Sequence, residues 1–60
     1  MNVFVLERKF IDGSVETLRI SDYSTDIFVN GVFKKSFSTL FGSARKSARV
    51  HIQNGYKVLA

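Results

Sequence analysis

The 60-residue sequence contains no cysteine. No disulfide can brace its fold, and a zinc site built on thiolates is excluded. Long apolar runs are also missing. Val3-Phe4-Val5-Leu6 is a run of four, and Glu7, Arg8 and Lys9 follow it at once. That is shorter than the apolar segment of about seven or more residues in a secretory signal, and far below the roughly 20 that a membrane span needs. The composition therefore predicts a soluble chain with no membrane association. The lack of cysteine fits the reducing cytoplasm.

Acidic residues are absent from the whole second half. All five (Glu7, Asp12, Glu16, Asp22, Asp26) lie before residue 27, beside the three bases Arg8, Lys9 and Arg19, for a net charge of −2. Residues 27–60 hold six bases (Lys34, Lys35, Arg45, Lys46, Arg49, Lys57) and no acid, for a net charge of +6. Such segregation predicts a positive face that suits an acidic protein surface or nucleic acid, although net charge also serves plain solubility.

Catalytic chemistry has little to work with. His51 is the single histidine, and no acid accompanies it in its half of the chain. A general base needs an orienting partner, and a metal site needs more nitrogen or clustered carboxylate ligands than this. None of the seven serines lies in a Gly-x-Ser-x-Gly elbow. Gly42-Ser43-Ala44-Arg45-Lys46-Ser47 lacks the spacing of a phosphate-binding loop. These absences lead to the expectation of a protein that is not an enzyme and has no metal and no cofactor.

What remains is the pattern of one small domain spanning residues 1–60. A chain this short buries only about 60 % of its unfolded surface, so its stability is marginal. Six phenylalanines and two tyrosines supply the apolar bulk. Self-association as a homodimer is a further route to stability. Residues 3–11 alternate as a strand, with Phe4, Leu6 and Phe10 on one face and Val3, Val5, Glu7 and Lys9 on the other. Asp12-Gly13-Ser14 is turn chemistry, and residues 15–20 form the second strand. A three-residue loop would set Leu6 opposite Ile20 and Glu7 opposite Arg19. A two-residue loop would set Leu6 opposite Arg19 instead, so the three-residue register is the one expected.

Ser21 to Asp26 reads as a polar connection. Asn30-Gly31, flanked by Ile27-Phe28-Val29 and Val32-Phe33-Lys34, predicts a hairpin with a type I′ turn, which pairs Phe28 with Phe33. From Ser38 onward the period becomes helical. Leu40, Phe41, Ala44, Ala48 and Ile52 share one face, with Ser36 or Ser38 as cap, Gly42 inside the helix and Asn54-Gly55 as its stop. Tyr56-Lys57-Val58-Leu59 closes as a short strand. The expected fold is α+β, an antiparallel sheet covered by one helix in the order ββββαβ.

The candidate binding residues follow from this layout. Arg45 and Arg49, one helical turn apart, share the outward side with Lys46, and Lys34 and Lys35 extend the basic set. Phe28 and Phe33 could stack bases if they stood on an exposed sheet face amid positive charge, or could belong to a core or a dimer contact. His51, projected on the helix, falls on the apolar side between Leu40 and Ala44.

Two resemblances accompany these readings. Val32-Phe33-Lys34-Lys35-Ser36-Phe37-Ser38-Thr39, followed by a helix carrying Ala44 and Ala48, resembles the strand-to-helix junction of integrase-type and AP2-like DNA-binding domains. Those domains have three strands and a helix, and the likeness implies a nucleic-acid-binding sheet. The β-rich start, the helix with alanines four apart and the Gly55-Tyr56-Lys57-Val58 finish are similar to small phage-encoded accessory proteins. That likeness implies a stoichiometric inhibitor that occupies a surface of a nucleic-acid-handling or defence protein.

Overall fold

The computed structural model describes residues 3–60. Four strands, β1 (Phe4–Lys9), β2 (Val15–Ile20), β3 (Ser24–Val29) and β4 (Val32–Ser38), run as an antiparallel meander. A 3₁₀ turn at Leu40–Gly42 leads into α1 (Ala44–Gln53), and the chain returns as β5 (Lys57–Val58) beside β1. The sheet order is β4-β3-β2-β1-β5. This is the α+β architecture and the ββββαβ order that the sequence predicts.

Period-two alternation decides which side chains meet the helix. Leu6 lies opposite Leu18, and Phe4 opposite Ile20. Leu6, Leu18 and Ile20 are fully enclosed with Ala44 and Ala48, and Phe4, Ile27 and Tyr56 pack around them. Each of the three large aliphatic side chains contributes roughly 1.5–3 kcal/mol through burial. The alanines, one turn apart, carry no bulk beyond Cβ, and this lets α1 lie close over β1 and β2. The helix does not reach far enough to cover the β3–β4 hairpin. Val32, on the helix side of that hairpin, is accordingly more than half exposed.

The first hairpin departs from the expected three-residue register. Its loop takes five residues, Phe10 to Ser14, so Glu7 faces Thr17 and Val5 faces Arg19. The longer loop is stabilised from within. Asp12 Oδ1 accepts from Ser14 N and Ser14 Oγ (2.9 and 2.6 Å), and Phe10 N donates to Ser14 O at 2.9 Å. Relative to the three-residue loop the slip is two residues, and an even slip leaves every side chain on its own face. The apolar pattern therefore could not distinguish the two.

The connection after β2 is shorter than Ser21 to Asp26. Ser21 N donates to Ser24 O at 2.9 Å, which closes the turn and frees Ser24, Thr25 and Asp26 to join β3. Thr25 is wholly buried, and its hydroxyl meets that of Thr39 at 3.2 Å. A polar residue so matched is tolerated in a core strand. Asn30-Gly31 forms the expected turn, with φ of 51° and 80°, and Phe28 pairs with Phe33. Just beyond, a bulge between Ile27 and Phe28 sets Lys35 opposite Ile27 and leaves Lys34 as the extra residue.

The helix starts later than the spacing suggests. Ser36 and Ser38 belong to β4, and Ser36 donates to Asp26 Oδ1 at 2.7 Å. Phe41 and Gly42 adopt left-handed backbone, with φ of 64° and 82°, so a helix cannot run through them. Leu40 and Phe41 stand about half exposed outside the core. The N-cap is Ser43, which accepts from Lys46 N at 3.3 Å, and Asp22 Oδ1 accepts from Ala44 N at 2.9 Å. A carboxylate there also complements the helix dipole. At the other end Asn54-Gly55 terminates α1 as expected, with Gly55 at φ 101°. Among the described residues, no helix is long and apolar enough to cross a membrane.

Candidate partner-binding surface

α1 carries its bases and its apolar residues on different sides. Ala44, Ser47 and Ala48 are buried, whereas Arg45, Lys46 and Arg49 are exposed. The helix contains no acid, and among the described residues the only ion pair is Arg8–Glu16 at 3.9 Å. The three bases of α1 thus present unneutralised charge to solvent.

Beside this face runs a groove of about 320 Å³ between α1 and the β1–β5 edge. Phe4, Ala48, Ile52 and Val58 supply its apolar lining, and Arg45 and Arg49 supply its charge. Ile52 is 44 % exposed and Val58 is 48 % exposed, because the short β5 leaves this end of the sheet incompletely covered. Ile52 was expected against the sheet. Its position at the last turn of α1 puts it at the margin of the core instead.

The remaining candidates occupy another part of the molecule. β4, which carries Phe33, Lys34 and Lys35, is the edge of the sheet opposite β5. Phe28 and Phe33 meet edge to face, with centroids 5.8 Å apart and planes at 71°. Ile27 packs toward the core, so its neighbour Phe28 points to the face away from the helix. The basic set therefore divides into the α1 trio and the lysines of β4. The structure does not bring the hairpin phenylalanines to the helical bases.

One cluster escaped the sequence reading altogether. The Arg8 guanidinium lies over the rings of Phe10 and Tyr56, 4.8 and 4.5 Å from their centroids. The Tyr56 hydroxyl donates to Glu16 Oε1, and Arg8 Nη1 donates to the carbonyl of Asn54 at 3.4 Å. His51 sets its ring against Tyr56 at 5.3 Å and 73°. Burial, then the hydrogen bond to Glu16, pushes the Tyr56 hydroxyl up to about 12. Burial likewise holds the His51 imidazole below its ordinary value, against the opposing pull of Glu16. This cluster ties the chain leaving α1 to β1 and β2, and so it fixes where β5 and the groove lie. The signal for it was the cross-strand pair Arg8–Glu16, which only the correct register reveals.

Comparison with known proteins found no matching family model, no matching curated protein and no matching solved structure.

Proposed function

We propose that this chain is a non-catalytic binding protein that engages an acidic protein surface through the outward face of α1. The observation that carries the reading is the exposed trio Arg45, Lys46 and Arg49 on an acid-free helix, set beside an apolar groove. Cations alone suit a phosphate backbone equally well. Cations flanking Phe4, Ile52 and Val58 suit a protein, whose carboxylates and apolar side chains arrive together. The ring of His51 is turned against Tyr56 and Glu16 is held by the Tyr56 hydroxyl, which favours structural work for both over proton transfer.

The finer reading is a phage-type inhibitor acting in the cytoplasm by occupying a surface of a nucleic-acid-handling or defence protein. Nucleic-acid channels are themselves basic, so a basic face would be repelled there. It would dock on an acidic surface of such an enzyme instead.

A second reading, a small nucleic-acid-binding domain, draws on the β3–β4 hairpin. Phe33 is 55 % exposed beside Phe28, and Lys34 and Lys35 follow it directly. Exposed aromatics next to cations are what base stacking uses.

Capture from a bacterial lysate, with and without nuclease, separates the two. The expected result is a protein held equally in both cases and lost when Arg45, Lys46 and Arg49 are exchanged for glutamine. Capture abolished by nuclease would transfer the function to the hairpin.

A further inference from the structure

Among the described residues, β5 is the terminal strand of the sheet and pairs on one side only. Val58 stands opposite Leu6, and Leu59 N donates to Val5 O at 2.8 Å. In an antiparallel ladder successive residues direct their backbone groups to alternate sides, so the N–H and C=O of Val58 point outward. The open edge of β5 therefore lies alongside the groove that Val58 helps to line. A further strand laid on β5 would bond to Val58 and send every second side chain toward Ile52 and the flanking arginines.

The charge of this seam decides what can lie there. No acid lines the groove, and neither Arg45 nor Arg49 has an ion-pair partner among the described residues. A second copy of the chain would bring the same two arginines and Lys57 to the seam, and each copy carries a formal charge of +4. Nucleic acid would satisfy the arginines and leave Phe4, Ile52 and Val58 wet. An extended peptide with carboxylates and apolar side chains satisfies both.

We propose that an extended, acidic and apolar segment of a partner protein adds to the sheet along β5, with alternate side chains in the α1–β5 groove and its carboxylates on Arg45 and Arg49. This proposal rests on the reading of the chain as a protein-binding module. It adds that the docked element is a strand, held by main-chain bonds and selected by every second side chain.

The test is selection of random peptides of about eight residues, displayed on a carrier, against the intact protein. The expected products carry apolar residues two positions apart, interspersed with Asp or Glu. The strongest selected peptide is then synthesised and titrated against two variants. Ile52→Glu places an acid on an already half-exposed site, and Val58→Pro removes the outward N–H. Each should weaken binding by about ten-fold or more, the consequence of losing a main-chain bond or an apolar contact. Should Val58→Pro fail to fold, Ile52→Glu carries the test alone.

Selection of basic peptides, of peptides with helical spacing, or of none would overturn the proposal. So would a selected peptide indifferent to both variants. So would tight binding of a short oligothymidylate or of phosphatidylserine vesicles that Ile52→Glu abolishes, or dimerisation of the protein that it abolishes. If binding is lost on exchanging Arg45, Lys46 and Arg49 for glutamine but survives Ile52→Glu and Val58→Pro, the strand-addition proposal fails and the basic-face reading stands. Indifference to all the variants removes both.

Discussion

Ser47 lies on the inner side of α1, wholly enclosed, and its hydroxyl has no hydrogen-bond partner among the described residues. Leaving a buried hydroxyl unpaired costs about 1–3 kcal/mol on protein mutational scales. Alanine at this position removes the unpaired group and leaves only a small void. It is also the better helix former, by up to about 0.7 kcal/mol. Ser47→Ala should therefore stabilise the protein by about 1–2 kcal/mol. At about 4–8 °C per kcal/mol for a domain of this size, the melting temperature should rise by several degrees. Ser43 provides the control within the same helix. It caps α1 by accepting from Lys46 N, so Ser43→Ala should destabilise by about 1 kcal/mol. Thermal melting followed by far-ultraviolet circular dichroism reads both variants. A Ser47→Ala protein that melts at or below the wild-type temperature would show that the serine hydroxyl is satisfied in the native protein.

Three further perturbations probe the fold. Ala48 is 4 % exposed against the sheet, so Ala48→Glu buries an unpaired charge and should destabilise by about 3 kcal/mol or more. A melting temperature within a few degrees of wild type contradicts the assignment of the inner face of α1. Asn30 combines φ of 51° with a side-chain oxygen that accepts from Val15 N at 2.9 Å. Asn30→Ala loses both features and should cost about 1–3 kcal/mol in chemical denaturation, whereas an unchanged midpoint would show the turn to be indifferent to its residue. Tyr56 keeps its proton to about 12 in the folded protein, against an ordinary value of 10.0. Below pH 10.0 neither state ionises; above it the unfolded chain ionises first, so stability is lost as pH rises from about 10 to about 12. Tyr56→Phe should flatten that decline, and equal alkaline slopes in the two proteins contradict it.

Local chemistry was legible wherever it decided the outcome alone. Asn30-Gly31 permits the backbone of one turn type, and that hairpin formed with the expected pairing. Asn54-Gly55 stopped α1 for the same reason. The start of α1 was not legible in the same way. Leu40 and Phe41 fit a helical period, but the left-handed backbone at Phe41 and Gly42 breaks it, and Asp22 from a distant turn fixes the true start at Ala44. The basic face needed only the helical spacing of Arg45, Lys46 and Arg49. The groove and the Arg8–Glu16–Tyr56 cluster depend on where β5 lands and on a register that side-chain alternation leaves open by two residues.

Arg45, Lys46 and Arg49 are proposed as the contact with an acidic protein partner. The most direct test is the binding of the captured, purified partner to wild type and to the triple glutamine variant over a range of salt concentrations. Exposed charges each contribute only about 0–1 kcal/mol to folding, so the variant should melt close to wild type. At low salt its association rate should drop and its salt dependence should flatten, because steering by the basic face is gone. A folded triple variant that associates as fast and binds as tightly as wild type at low salt would remove the basic face of α1 from the contact.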